Sequence, residues 1–172
     1  MSSATATAAS REFRRLFEAE FEYVCRSLRR LGVREVDLAD VAQELFVTVH
    51  NQLPKFDVTR PLRPWLFSFS LKFAANYRRL ARNRAPHVEV DDASAAPADP
   101  NGEARDLVLR ALADLDFDRR TVLVMHDLEG FGAPEIAEET GVPLNTVYSR
   151  LRHARAEFRA AVDRLQARAG SR

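Results

Sequence analysis

The chain has 172 residues, a formal net charge of +1, 46% hydrophobic and 30% charged side chains. That length allows one ordinary domain or two small ones, and near-neutral bulk charge selects no partner by itself. A single cysteine, Cys25, excludes an intramolecular disulfide framework and a CxxC metal site. No run of about 18 apolar residues is present to span a membrane, and the opening MSSATATAAS lacks the basic start and apolar core of a signal peptide. The expectation is a soluble cytoplasmic protein.

Residues 1–10 are small and polar and predict a disordered tail. From 11 to 85 the apolar spacing is helical. Phe13, Leu16, Phe17, Phe21, Val24, Leu28 and Leu31 recur every three or four residues until Gly32 breaks the pattern. Asp37 is placed to cap a second helix, with Val41, Leu45 and Phe46 on one stripe and Pro54 at its end. PKFDVTRP, residues 54–61, is a loop between two prolines. Pro61 or Pro64 can open a third helix, whose stripe runs through Leu62, Trp65, Leu66, Phe69, Phe73, Tyr77 and Leu80.

Residues 86–102, with three prolines, four acids and no Lys or Arg, cannot build a core and predict a flexible linker. Helical spacing resumes through Leu107, Leu112, Leu115, Val122, Leu123, Met125 and Ile136, then Val147, Leu151, Ala154, Phe158, Val162 and Leu165. The fold class is all-α: two small helical domains, 11–85 and 103–166, on an acidic tether.

Charge is segregated along this plan. Residues 63–84 carry six bases and no acid, 103–139 carry ten acids against four bases, and 140–172 carry seven arginines against Glu157 and Asp163. Basic patches on a neutral chain suit nucleic acid. Arginine outnumbers lysine 24 to 2, a composition bias that lowers the weight of any one arginine.

Residues 133–155, APEIAEETGVPLNTVYSRLRHAR, have the spacing of a helix-turn-helix. Pro134 suits the first helical turn, and Ile136 and Ala137 face inward. Gly141 takes the turn, Val142 plugs the angle and Pro143 starts the second helix. Val147 and Leu151 bury, leaving Asn145, Tyr148, Ser149, Arg152 and His153 outward, where they can bond base edges or phosphates. An ordinary helical hairpin with a solvated polar face would share the spacing; the clustered arginines favour DNA.

In the third helix, Trp65, Phe67, Phe69, Phe73 and Tyr77 interleave with Arg63, Lys72, Arg78 and Arg79. Rings for stacking and cations for phosphates suit single-stranded nucleic acid. The helical period also makes Trp65, Phe69 and Phe73 core candidates.

Three motifs together resemble the extracytoplasmic-function (ECF) sigma factors of bacterial RNA polymerase. Asp37-Leu-Ala-Asp-Val-Ala-Gln-Glu-Leu-Phe46 is similar to the family's acidic D-x-x-Q-E-x-F helix. Phe56 through Arg63-Pro-Trp-Leu66, then Asn76 and the arginine run, is similar to its promoter-melting segment. Leu115 through Asp127-Leu-Glu-Gly-Phe131 and into Thr146–Arg155 is similar to its terminal DNA-binding domain. The resemblance implies a sigma domain 2-like bundle at 11–85 that binds core polymerase and opens the −10 element. It implies a sigma domain 4-like helix-turn-helix at 103–166 that reads the −35 element.

By position, Asp40, Gln43, Glu44 and Phe46 correspond to the polymerase-docking surface. Phe56, Asp57, Val58, Thr59 and Arg60 correspond to the loop that captures a flipped non-template base, and Lys72, Asn76 and Arg79 to the adjacent strand path. The family commonly has a small polar, Gly-Ser-like loop there; this chain departs from it with Val58 and Arg60 before Pro61. Tyr148, Ser149, Arg152 and His153 correspond to base-reading positions, and Arg150 and Arg155 to backbone or structural ones. Tyr148 stands where Lys or Arg is frequent. The implied partners are core polymerase, promoter DNA and an anti-sigma factor.

The sequence allows three other classes, one of them a protein-interaction adaptor, which loss of DNA dependence would reveal. A free-standing helix-turn-helix regulator explains the C-terminal half but neither the acidic motif nor the aromatic basic helix. An enzyme finds little support: His50, His87, His126 and His153 are dispersed without ligand spacing, and there is no phosphate-cradling Gly loop or nucleophile elbow. No cofactor or metal is expected. Cys25 reads as a buried thiol and His126-Asp127 as a helix-end pair. The 17-residue linker reaches at most about 56 Å when extended. Promoter elements two duplex turns apart are roughly 68 Å distant. The linker must therefore run stretched, and its acidity favours a basic polymerase channel over naked DNA.

Overall fold

The computed structural model describes residues 2–83 and 102–170. Seven α-helices lie among them: α1 (Ser2–Arg30), α2 (Leu38–Gln52), α3 (Leu62–Asn83), α4 (Gly102–Ala113), α5 (Phe117–Leu123), α6 (Ala133–Thr140) and α7 (Leu144–Gly170). No strand occurs among the described residues. The helix α1 begins at Ser2, through the segment expected to be a tail. Four alanines and no Gly or Pro there give the helix no reason to stop. The predicted linker lies outside the described residues except for Gly102, which opens α4.

The break after α1 follows from its sequence. Gly32 adopts φ +99°, a left-handed conformation that only glycine takes without cost. The Val33 amide donates to the Leu28 carbonyl and the Gly32 amide to that of Arg29, both at 3.0 Å, so the last carbonyls of α1 are satisfied. Val33 and Leu28 are both buried, which completes a Schellman ending.

Helices α1, α2 and α3 form the first unit. Leu38, Ala42, Leu45, Phe46 and Val49 of α2 point inward. Asp37 does not cap α2 through its side chain. Its carboxylate accepts from the Tyr77 hydroxyl at 2.5 Å and from Arg34 at 2.9 Å. A charge-assisted pair with a residue of α3 outcompetes the local amide. Trp65 is partly buried between Phe56 and Phe69, at ring separations of 4.6 and 4.9 Å, while Phe69 is buried and Phe73 partly so.

Helices α4 to α7 form the second unit. Asp116 caps α5, accepting from the Arg119 amide at 2.9 Å. A π-helical turn, Val124–Leu128, follows. Glu135 accepts from the Gly132 amide at 2.8 Å and closes the front of α6, with Pro134 in its first turn. Gly141 ends α6 at φ +70°. The Pro143 carbonyl then accepts the first amide bonds of α7, from Thr146 and Val147.

The units pack on each other. Phe67, fully buried, meets Phe131 edge-on at 5.7 Å. Arg30 pairs with Glu129, whose side chain is 6% exposed, at 2.5 Å. Arg78 lies over the Phe117 ring at 5.0 Å. Phe67 is therefore committed to the contact between units and is not available to stack on a base.

Candidate nucleic-acid interface

The outer face of α2 carries Asp40, Gln43 and Glu44, all exposed, with Val47 64% exposed on the same side. Spacings of three, four and seven residues place these side chains on one stripe. Phe46 does not join them. It is 2% exposed and packs against the rings of Phe17 at 4.8 Å and Phe21 at 6.0 Å. Its assignment to the docking set is corrected on that ground: α1 covers it, and its role is to hold α2 in place. Phe46 also lines a groove of about 370 Å³ together with Phe13, Phe17, Gln43, Val47 and His50.

The 56–60 loop is a tight turn. Asp57 Oδ1 accepts from the Thr59 amide at 2.9 Å and the Thr59 hydroxyl at 2.7 Å. The Arg60 amide donates to the Asp57 carbonyl at 3.0 Å. These bonds hold the Asp57 carboxyl below the usual carboxylate range, chiefly through the Thr59 hydroxyl. Val58 stands at the apex, 86% exposed. Phe56 is anchored on Trp65. Lys72, Asn76 and Arg79 follow along one exposed side of α3, with Arg79 donating to Asn76 at 2.8 Å. Lys72 sits over the Phe69 ring at 5.7 Å. Thus the loop and the α3 row lie on consecutive pieces of chain around the Trp65–Phe69 pair.

In α7, Val147, Leu151 and Ala154 bury, while Asn145, Tyr148, Ser149, Arg152 and His153 are exposed, Tyr148 by 55%. Arg150 and Arg155 behave differently. Arg150 pairs with Asp118 in the first turn of α5. Arg155 makes two bonds to the Asp127 carboxylate, at 2.6 and 2.8 Å. His126 lies 2.8 Å from Asp127. The Arg155 bonds hold the Asp127 carboxyl below its ordinary value and raise Arg155 further. Two carboxylates of the acidic half thus clamp the helix whose outer face stays open.

Three groups were not foreseen. Glu138 and Glu139 of α6 reach Arg60 at 2.9 and 3.5 Å. Arg120 is buried, 4% exposed, with its Nε unpartnered among the described groups and Gly32 against it. Desolvation, with Arg78 nearby, pushes its guanidinium down to about 10. The excess of acids over 103–139 was visible in the sequence; which cations they meet was not.

Comparison with known proteins agrees with the fold of two helical units. Residues 16–85 match the family model for sigma-70 region 2, and residues 105–158 match that for sigma-70 region 4. The RNA polymerase sigma factor CnrH of Cupriavidus metallidurans is 28% identical over 95% of this chain and 93% of its own length. The ECF sigma-E factor of Escherichia coli is 27% identical over 81% of each. A solved structure of CnrH in complex with the cytosolic domain of CnrY aligns with a TM-score of 0.65 at 32% identity, covering 92% of this chain and 94% of that one. The sigma factor RpoE bound to the anti-sigma factor NepR from Bartonella quintana shares the fold, with a TM-score of 0.69 at 19% identity over 88% of this chain and 97% of that one.

A region 2 bundle followed by a region 4 helix-turn-helix defines a transcription initiation factor. The chain belongs to the ECF group of the sigma-70 family. It is a sigma factor, binding RNA polymerase and directing it to promoters.

Proposed function

We propose a division of labour among three surfaces. Asp40, Gln43 and Glu44 on α2 dock on core polymerase. Phe56, Asp57, Val58, Thr59 and Arg60, with Lys72, Asn76 and Arg79, take the single-stranded −10 element and open the DNA. Tyr148, Ser149, Arg152 and His153 read the duplex −35 element in the major groove, with Arg150 and Arg155 orienting their helix. The units responsible are 11–85 and 103–166, joined by the acidic 86–102 segment. An anti-sigma factor covers the free protein, and the site of action is the cytoplasm. RpoE is seen bound to the anti-sigma factor NepR, and CnrH is seen in complex with the cytosolic domain of CnrY. Among the described residues no helix is long and apolar enough to cross a membrane.

One observation carries the −35 assignment. The two arginines expected at backbone-contacting or structural positions are tied to Asp118 and Asp127, while the expected readers stand exposed on the same helix. Positioning and reading are thereby separated on one element. Each base contact contributes about 1–3 kcal/mol, too little for tight binding by a lone small domain. Polymerase supplies the rest, so the isolated chain binds duplex DNA weakly and with strong salt dependence.

The test is run-off transcription with purified core polymerase over a randomised promoter library. Transcripts dependent on this protein should share two upstream motifs. Arg152→Ala should weaken selection of the −35 motif and leave co-elution with core intact; Glu44→Arg should do the reverse. Loss of the same step in both variants would overturn the division.

A further inference from the structure

Arg60 belongs to the loop assigned above to single-stranded promoter DNA, yet α6 already holds its guanidinium. Glu138 Oε1 lies at 2.9 Å and Glu139 Oε1 at 3.5 Å. Around this contact Phe56, Pro61 and Trp65 face Glu135 and Glu139 across a cleft of about 160 Å³. Glu139 also lies within the field of Lys72. A row of carboxylates on one short helix thus meets the cations and rings that a DNA strand would engage through phosphates and a base.

We propose that α6 is an intramolecular stand-in for the promoter strand: Glu138 and Glu139 occupy Arg60, keep the two units closed over the 56–60 loop, and must be displaced before that loop can take DNA. The proposal rests on the assignment of the loop to the −10 strand.

The contact is built to be displaced. The side chains of Arg60 and Glu138 are both more than half exposed, so salt and a competing polyanion reach them. Glu139 is half-buried and stands farther from Arg60 than Glu138 does, 3.5 Å against 2.9 Å, so its share of the pairing is the weaker one. Closure is helped by Phe67 on Phe131 and by Arg30 on Glu129. It is opposed by Arg120, a buried guanidinium with an unpartnered Nε and a second arginine, Arg78, close by. A phosphate brought to Arg60 would lie against the carboxylates of Glu138 and Glu139, and like charge disfavours that arrangement. The affinity of the free chain for single strands is therefore reduced by the fraction that is open.

The test uses the full chain carrying Cys25→Ser, Ala19→Cys and Ala156→Cys, labelled for energy transfer between the exposed positions of α1 and α7. A labelled pool of single-stranded DNA of random sequence serves as the binding probe, at low salt and without polymerase. The double variant Glu138→Gln/Glu139→Gln should raise the ratio of open to closed molecules roughly threefold to tenfold. Affinity for the pool should rise in step. The same charge change at exposed positions of α4, Glu103→Gln/Asp106→Gln, should move neither quantity. An unchanged open fraction in the first variant, or an equal gain in the second, would overturn the latch and leave the loop assignment in place. Opening without any gain in affinity would overturn the mimicry together with that assignment.

Discussion

The arginines of α7 and the arginine of the 56–60 loop are held in opposite ways. Arg150 and Arg155 pair with Asp118 and Asp127 of their own unit. Arg60 pairs with Glu138 and Glu139 of the other unit. A pair inside a unit persists whatever the units do, so it positions a helix. A pair between units lasts only while they stay docked, so it can report or control that docking. The same chemistry serves architecture in one place and conformational choice in the other.

The largest test of this contrast falls on the first unit's interior. Phe46→Ala should cost about 3–5 kcal/mol in urea denaturation, because α1 and its rings cannot collapse fully onto the space left. If instead the loss were small and polymerase binding failed, Phe46 would return to the docking surface. Next comes the junction. Arg120→Met should stabilise the chain by about 1–4 kcal/mol, since it replaces a buried guanidinium whose Nε has no partner with an apolar side chain of similar length. It should also raise the closed fraction in the energy-transfer measurement above. Destabilisation would show that Arg120 has a partner that matters.

Gly32→Ala should cost about 1–2 kcal/mol through the left-handed backbone alone. It has a second consequence at the junction, because the new Cβ would lie 2.4 Å from a guanidinium nitrogen of Arg120. Coupling between Gly32→Ala and Arg120→Met in a double-mutant cycle would measure that contact, and simple additivity would deny it.

The smallest effect is acid sensitivity. The Asp127 carboxyl is held below its ordinary value by Arg155, so its stabilising contribution is complete above the unfolded value near about 4 and is lost as pH falls through the lowered one. Chemical denaturation between about pH 6 and pH 2 should show Asp127→Asn flattening this part of the curve. An unaltered slope would mean that Arg155 does not orient α7 through Asp127.

Much of the fold was legible in the sequence because its causes are local. Apolar spacing, the Gly32 and Gly141 breaks and the proline punctuation act within a few residues, and the helices follow them. The exposed face of α7 was legible for the same reason, since burying Val147 and Leu151 leaves Tyr148 and Arg152 outside.

What escaped the sequence depends on partners far along the chain. Asp37 was placed as a cap because the α2 amides are near in sequence, but Tyr77 of α3 claims its carboxylate. Phe46 lies on a motif that resembles a docking helix, and only the position of α1 decides that its ring turns inward. Phe67 was compatible with stacking on a base until Phe131 was found against it, and nothing in the sequence pairs Arg60 with Glu138. Periodicity determines which face of a helix is apolar, because each turn repeats the same geometry. It carries no information on which other helix covers that face or which distant charge meets an exposed cation, because those depend on how whole helices pack, and only the tertiary structure decides that.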